Sequence, residues 1–549
     1  MSSIDVSEIL RGSSTNPPPP KKARSDVSHG ENGLKLPAGA SRDELLAALE
    51  EDAGQAVTVD EAYVKKYTLQ LEKKVLRNRE MRIKHSDEPQ KFMESEIELD
   101  TAIQEMHSLA TQPDLYGCFI EIGGPTILLS LLAHENSDIV GVTINLLQEL
   151  TDVDVLNEGD EGALELIDYL IKGRIIETFV TCFDKFDETK KDDADALHGA
   201  LTVVENMIEV RKEMADECVS QGLFLWLLKR ACQKGTMDAN KEYASELLAI
   251  LLQTSEAARK KLTEKLDGID MILRALAHYK RNDPTSPTEK EHMENMFNAL
   301  CAALIWPQNR GKFLDGEGLQ LMNLMLREKK QSRNSALKVL DHATAGPEGR
   351  DNCNKFVDIL GLRTLFPLFM KTPTTTKKKS KDSNPDEHEE HVCSVLGALL
   401  RSCEEESRQR MFNKFVEHEH EKVDRAVELF LKYKERMNKF DSKQAKAAEA
   451  SDNEQENDDE KYFDRLDAGL FTLQTVSLIL LDVCSNTYSA LQRTSKLFSM
   501  KLKQERVSKV LFPIAAQYQQ NLGADAQEEA SRVDRLMAKL SSLEKDLHA

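Results

Sequence analysis

The stretch GLQLMNLMLREKKQSRNSALKVLDHATAGPEGRDNCNKFVDILGLRTLFPLFMK, residues 318–371, decides the fold. Its first segment is apolar most of the way round, which is typical of a helix buried from several sides. The second segment repeats apolar residues at helical spacing, namely Ala336, Leu337, Val339, Leu340 and Ala343. We expect Ser332 to cap that helix by accepting a backbone N–H, and Gly346 with Pro347 to end it. After a third segment Gly361 restarts the pattern, so the sequence predicts three short helices per repeating unit.

The same unit recurs along the chain, each time as a glycine followed by an apolar-rich helix. These glycines are Gly124, Gly173, Gly222, Gly268, Gly318 and Gly361. Their spacing of 43 to 50 residues is slightly longer than the roughly 40–47 residues of armadillo and HEAT units. Glycine suits a turn between helices because it tolerates a positive φ. The pattern predicts an all-α, armadillo/HEAT-like right-handed α-solenoid with a helical N-terminal cap and a C-terminal helical region; the alternative is an irregular helical enzyme with scattered glycines.

Composition divides the chain into four parts. Residues 1–58 are rich in Ser, Pro, Gly and charge, so we expect a disordered tail. Residues 59–111 form a helical cap, in which we expect Met93, Ile97, Ile103, Met106 and Leu109 to point inward. Six armadillo-like units occupy 112–416, and a C-terminal helical region occupies 417–549, with a disordered acidic loop at 441–461.

The last helix carries apolar residues at alternating steps of three and four. They are Val533, Leu536, Leu540, Leu543 and Leu547, which form a seam of two heptads. Such a seam predicts either a homodimer or docking onto the protein's own C-terminal helices, and its short length favours docking.

The chain has 549 residues, 94 acidic and 73 basic side chains and a formal charge of −21. That length exceeds the roughly 250–300 residues at which one compact core stops growing, whereas a solenoid escapes this limit. The charge favours basic partners, although acidity also keeps a long solenoid soluble. Nine scattered cysteines without a Cys-x-x-Cys motif indicate reduced thiols in cytosol or nucleus. We expect no signal peptide and no membrane span, because no uninterrupted apolar run reaches about 18 residues.

Signatures of catalysis are missing from the sequence. It has no glycine-rich phosphate loop and no nucleophile motif. The pairs His388 with His391 and His418 with His420 lack the usual spacing of metal ligands, so we expect solvated histidines at helix edges. We therefore predict that the protein is not an enzyme and uses no metal or cofactor.

Two short basic segments are candidate nuclear-localisation signals. Pro17–Pro20 lead into Lys21, Lys22 and Arg24, a cluster similar to a monopartite nuclear-localisation signal that an import receptor would bind. The alternative is a solvated tail. A second, weaker candidate lies at 377–381.

The helix predicted at 60–85 is rich in lysine and arginine. It could contact RNA. The favoured interpretation is that it packs as the N-terminal cap with a solvated basic face, because terminal repeats need capping. The net charge opposes direct binding to nucleic acid.

In armadillo-like units the last helix of each repeat lines a groove. We expect these helices at 139–152, 193–210, 239–253, 289–305, 333–344 and 387–401. Their polar positions predict a basic-peptide groove, with carboxylates binding Lys or Arg and amides holding the peptide backbone. The candidate residues are Glu149, Asp152, Glu205, Asn206, Glu209, Glu246, Glu294, Asn298 and Asp341. The alternative is a set of ordinary exposed helix faces.

Several segments resemble the beta-catenin-like family of armadillo-repeat nuclear proteins. They include KFMESE at 91–96, QELTD at 148–152, VENM at 204–207, GEGLQLMNLMLREKK at 316–330 and SALKVLDHA at 335–343. The resemblance covers about 90–520. It implies a nuclear protein attached to the spliceosome through the nineteen complex, which binds basic nuclear-localisation-type segments of splicing proteins such as the cell-division-cycle-five-like protein. It also implies self-association and an N-terminal nuclear signal, the place filled here by Lys21, Lys22 and Arg24.

One departure limits the comparison with import receptors. Receptors of the importin-alpha type carry a repeated Trp/Asn ladder on the groove helices, whereas this chain has only Trp226 and Trp306. We therefore predict a non-enzymatic nuclear scaffold in pre-mRNA splicing. A nuclear import adaptor and an RNA-binding α-solenoid are the alternatives.

Overall fold

The computed structural model describes residues 59–158, 161–264, 267–372, 384–450, 458–523 and 526–548. The described residues form helices and turns without a strand, as the all-α prediction requires. The chain divides into two compact units, Met1–Lys261 and Leu262–Ala549. Both basic clusters, at 21–24 and 377–381, lie outside the described residues.

The described part of the first unit begins with two long helices that pack on each other and continues with three repeats. The long helices are α1 (Glu61–Lys84) and α2 (Pro89–Glu105). The first repeat contains α3 (Tyr116–Glu121), α4 (Gly124–Leu131) and α5 (Ser137–Leu150), and is followed by the short α6 (Val153–Glu158). The second contains α7 (Glu161–Lys172), α8 (Ile175–Phe183) and α9 (Lys191–Val210). The third contains α10 (Met214–Ser220), α11 (Leu223–Ala231) and α12 (Ala239–Thr254).

The division between the units falls within α13 (Glu256–Glu264). The second unit continues with α14 (Gly268–Leu276), α15 (Pro287–Ala303), α16 (Pro307–Asp315), α17 (Gly318–Glu328), α18 (Arg333–Thr344), α19 (Arg350–Asp358), α20 (Leu362–Met370) and α21 (Pro385–Ser402). Its C-terminal region contains α22 (Glu405–Ala450), which a kink with non-helical backbone at 417–420 divides into two parts, α23 (Asp458–Arg465), α24 (Phe471–Asn486), α25 (Tyr488–Leu502), α26 (Val507–Gln520) and α27 (Gln527–His548).

The repeat glycines are explained by close packing more than by a positive φ. Among the six, only Gly222 has a positive φ; at Gly124, Gly173, Gly318 and Gly361 the left-handed residue is an adjacent one, such as Gly123 or Glu317. A Cβ on Gly124, Gly318 or Gly361 would instead lie closer than 3.0 Å to a phenylalanine ring of the preceding helix. These rings belong to Phe119, Phe313 and Phe356, all fully buried. Our turn explanation therefore holds at Gly222 and is corrected at Gly124, Gly318 and Gly361, where the glycine makes room for a ring.

Three further sequence predictions are wrong in detail. Ser332 does not cap α18, because its hydroxyl donates to the Tyr279 carbonyl oxygen at 3.0 Å. Met93 and Ile97 are exposed, since the buried face of α2 runs through neighbouring positions. The expected acidic loop at 441–461 is helical at both ends, where α22 and α23 lie, and 451–457 fall outside the described residues.

The C-terminal region is built around α24. The stretch Glu460–Asn486 is long and apolar enough to cross a membrane by length and composition, but 78% of its apolar window is buried inside the protein, as in a core helix. Helix α27 packs on α24 and α26, which buries Val533, Leu536 and Leu540. The heptad seam therefore docks within the chain, and self-association stays a prediction.

We expect Gly318→Ala to destabilise the second unit by about 1–3 kcal/mol, because the added methyl group overpacks against Phe313. Gly311→Ala is the matched control in α16, where a Cβ would meet no atom within 4 Å. That change should be neutral or stabilise by up to about 1 kcal/mol, the helix-propensity gain. Thermal and urea unfolding measure both; equal effects would contradict the packing explanation.

Candidate functional site

The last helices of neighbouring repeats pack side by side within each unit. In the first unit α9 packs between α5 and α12, and in the second α18 packs between α15 and α21. Gly199 lets α9 approach α5 closely, since a Cβ there would lie 3.2 Å from the Ile144 side chain. We call these two sets of helices the last-helix layers. Their bounds lie within a few residues of the predicted groove helices.

In the first unit, the layer presents carboxylates held by neighbouring helices. The Tyr243 hydroxyl of α12 donates to a Glu205 carboxylate oxygen of α9. Burial and this carboxylate raise the pKa of Tyr243, so the phenol stays protonated as a donor. Glu149 is 54% exposed, and its carboxylate lies 2.7 Å from His107 Nδ1. Glu209 is exposed one turn beyond Glu205.

The other predicted residues of this unit differ in their surroundings. Asn206 and Glu246 are half-buried on α9 and α12. Asp152 does not lie on a groove helix, because α5 ends at Leu150. Its carboxylate instead accepts the backbone N–H of Asp154 at 2.9 Å, at the start of α6.

The second unit repeats the arrangement. The Ser335 hydroxyl of α18 donates to Glu294 of α15 at 2.7 Å. The Ser394 hydroxyl of α21 donates to Asp341 of α18 at 2.6 Å, and His391 Nδ1 lies 2.9 Å from the other Asp341 oxygen. Asn298 is half-buried on α15.

The histidine pair at 388–391 is not solvated, contrary to our expectation. His388 is buried and His391 is 16% exposed, because α21 is covered by neighbouring helices. Burial alone would lower the pKa of His391, but Asp341 and Glu387 outweigh it and raise that pKa to about 9. His418, in contrast, is 72% exposed.

Sequence reasoning missed three residues of this layer. Glu387, Glu390 and His391 lie beside Asp341, where the Glu390 carboxylate accepts a 3.3 Å hydrogen bond from Thr472. Burial raises the pKa of Glu390. Their spacing with Ser394 on a predicted groove helix is the signal that could have identified them.

The shared geometry determines what these layers can do. Hydroxyl donors on one helix orient carboxylates on the neighbouring helix, and at Asp341 the His391 imidazole, whose pKa is raised to about 9, also pairs with the carboxylate. Oriented carboxylates form charge-assisted hydrogen bonds with lysine or arginine. The pattern of hydroxyl-oriented carboxylates occurs in both units.

Several cations of the basic helix α1 are paired with carboxylates of the first unit. Lys74 and Arg77 both pair with Glu98, at 2.6 and 2.7 Å. Arg82 pairs with Glu96 and Glu135. These ion pairs favour the cap interpretation over an RNA-binding face.

Metal and thiol chemistry find little support in the described ranges. No group of three or more His, Cys, Asp or Glu residues there is arranged to hold a metal ion. All nine cysteines are free. Burial raises the pKa of Cys182 to about 11 and that of Cys301 to about 12, which makes both poor nucleophiles at neutral pH.

The family model and the related proteins identify the same family. Residues 43–511 match the family described as catenin-beta-like, Arm-motif containing nuclear. The chain is 49% identical to human beta-catenin-like protein 1 over 473 residues, which cover 85% of this chain and 83% of the relative. It is 32% identical to the Schizosaccharomyces pombe homologue over 478 residues, covering 85% and 82%. The Arm-motif description agrees with the three-helix repeats, so the predicted fold and family are confirmed.

Solved structures are more distant. SYS-1 is 10% identical with a TM-score of 0.43, covering 91% of this chain and 90% of that chain. A chain from work on the interaction between cadherin and beta-catenin is also 10% identical, with a TM-score of 0.39, covering 92% and 95%. Similarity at this level carries no conclusion about function.

His391 generates a prediction for stability against pH. A free histidine titrates near pH 6.5, whereas the pKa of His391 is raised to about 9. Its contribution is therefore fully present below about pH 6.5 and is lost as pH rises through 9. We expect the wild-type free energy of unfolding to lose about 2–3 kcal/mol across that window relative to His391→Gln. Urea unfolding at several pH values measures this, with exposed His418→Gln as control; parallel curves for wild type and His391→Gln would refute it.

Proposed function

We propose that this chain, which belongs to the catenin-beta-like family of Arm-motif-containing nuclear proteins, is a non-enzymatic scaffold in pre-mRNA splicing. Its partners would be splicing proteins of the nineteen complex, including the cell-division-cycle-five-like protein. It would bind their basic, nuclear-localisation-type segments through the last-helix layers.

The hydrogen-bonded carboxylate is the observation that carries the proposal. Glu205, Glu294 and Asp341 each accept a hydroxyl hydrogen bond from the next layer helix. A carboxylate held in place loses less conformational freedom when a cation binds, so binding costs less entropy. Exposed Glu149 and Glu209 add negative charge in the first unit. An extended Lys- or Arg-rich segment is the ligand that matches this chemistry.

The two alternatives have weaker support. An import adaptor needs a long arginine-rich arm to bind its own receptor, and the tail has only the short cluster at 21–24. An RNA-binding solenoid needs unpaired cations, whereas several cations of α1 are paired and the formal charge is −21.

Charge reversal in the first unit tests the binding proposal. We expect Glu205→Lys with Glu209→Lys to weaken binding of a Lys/Arg-rich peptide at least tenfold, about 1.4 kcal/mol. Neutralisation to Gln at both positions retains an acceptor for Tyr243 and should give a smaller loss. Fluorescence anisotropy at several salt concentrations measures the affinity, which should fall as salt rises.

The matched control is Glu161→Lys with Glu165→Lys. The two residues are four positions apart, as in the test pair, and both are exposed, but they lie on α7, outside the layer. Binding by the control should stay within twofold of wild type. Equal losses in both double variants, or an affinity independent of salt and of both substitutions, would refute the proposal.

The tail generates a separate prediction. Replacing Lys21, Lys22 and Arg24 with alanine should move a fluorescent fusion of the full chain from nucleus to cytoplasm, because an import receptor would no longer bind the tail. Alanine substitution of the four lysines within 377–381 should have the smaller effect. Unchanged nuclear signal after the tail substitutions would contradict the assignment.

A further inference from the structure

A cavity lies where the last-helix layer of the second unit continues. Helix α24 packs alongside α21, and a space of about 130 Å³ is left between them, closed behind by α26 and α27. Ser394, Gly397 and Arg401 line it from α21, at helical spacing. The ring of Phe471, which is 40% exposed, lines the opposite side. Ser394 also donates a hydrogen bond to Asp341. We call Asp341 with Ser394 and His391 the Asp341 site, and the cavity therefore shares Ser394 with it.

A chain of alternating charges runs along the inner wall of the cavity, which Arg401, Asp482, Glu529 and Arg532 line, and continues behind it to Arg408. Asp482, only 1% exposed, accepts hydrogen bonds from Arg408 at 2.7 Å and Arg532 at 2.9 Å. Arg532 also donates two 2.9 Å hydrogen bonds to Glu529. Arg401 follows, 4.0 Å from Glu529. Helices α21, α22, α24 and α27 thus contribute three guanidinium groups and two carboxylates.

The surplus positive charge falls on Arg401. Arg408 and Arg532 both form short hydrogen bonds with carboxylates. In the described part of the chain, Glu529 is the one carboxylate within 4.0 Å of Arg401, and 4.0 Å is too long for a hydrogen bond. Arg401 is 35% exposed at the cavity. A planar guanidinium in this position suits a carboxylate or phosphate group, which it can bind with two parallel hydrogen bonds.

We propose that the Arg401 cavity binds an anionic side chain of the same polypeptide whose basic residues occupy the Asp341 site. This inference rests on the proposed function and adds a rule of specificity to it. The anion is an encoded aspartate or glutamate, or a phosphorylated serine. Phe471 covers one side of the bound group.

Helix geometry sets the spacing of this recognition. Ser394 and Arg401 are seven positions apart on α21, which corresponds to about 10 Å at 1.5 Å per residue. An extended peptide covers that distance in about three residues at roughly 3.3–3.6 Å each. The preferred ligand therefore has a Lys-Arg pair and, about three residues away, an acidic or phosphorylated residue.

A peptide series measures the preference with the full-length protein. Each peptide has a Lys-Arg pair and, three residues before or after it, a Gln, Glu or phosphoserine. Negative layers alone would make Glu bind more weakly than Gln, by charge repulsion. If Arg401 binds the acid, the preference is the opposite. We then expect the peptide with Glu, in one of the two positions, to bind at least fivefold more tightly than the peptide with Gln. Comparing Glu with phosphoserine separates an encoded acid from a phosphorylated one.

Variants of Arg401 assign the preference to the cavity. Arg401→Gln should abolish the Glu-over-Gln ratio while leaving affinity for the Gln peptide within twofold of wild type. Arg401→Lys keeps the positive charge but removes the planar guanidinium, so it should retain part of the Glu-over-Gln ratio. The control is Arg410→Gln on α22, an exposed arginine paired with Glu406, which should preserve the ratio.

The outcomes separate the two proposals. Equal binding of Gln, Glu and phosphoserine peptides, or a ratio that survives Arg401→Gln, would overturn the cavity assignment while leaving the binding of basic segments intact. Failure of every Lys-Arg peptide to bind would overturn both.

Discussion

Close contact between a glycine and a buried phenylalanine ring is the constraint on which the repeats depend. In three repeats the second helix starts at a glycine or directly after one, and the ring of the preceding helix occupies the space that a Cβ would fill. Phe313 and Phe356 are fully buried by this contact. Because the two short helices of these three repeats are held so closely, the third helix of each of the three has a defined place beside the third helix of a neighbouring repeat.

The candidate binding chemistry is a consequence of that packing. Where two last helices lie side by side, a hydroxyl on one reaches a carboxylate on the other, as Tyr243 reaches Glu205 and Ser394 reaches Asp341. The same contacts that pair neighbouring repeats also orient the acids. Packing and the proposed recognition therefore depend on the same residues, so a change at a layer helix is expected to affect both.

Local pattern predicted the helices well, because helical periodicity is a property of a short stretch of sequence. The last helices α18 and α21 begin within two residues of their expected starts. The contacts made by particular side chains were harder to predict, since their partners are distant in the sequence. Asp341 and Ser394 are 53 residues apart, and Tyr243 and Glu205 are 38 apart.

The errors follow from the same limit. Glycine at a helix start indicated a turn, although the ring it accommodates can be identified only from the packed structure. We predicted that His391 is solvated because its partners are not evident from the local sequence. Asp341 lies on another helix, and Glu387 contacts His391 only because both lie on the same face of α21. The Arg401 cavity joins four helices from 385 to 548, and no local motif marks such a junction.

The central claim is that acids of the last-helix layers hold a basic polypeptide. A crystal structure of the full chain with a bound Lys/Arg-rich peptide tests it most directly. The account predicts lysine or arginine nitrogens within about 3.2 Å of carboxylate oxygens of Glu205, Glu209 or Asp341. A peptide bound elsewhere, with those carboxylates contacting only water and their present hydroxyl donors, would contradict it.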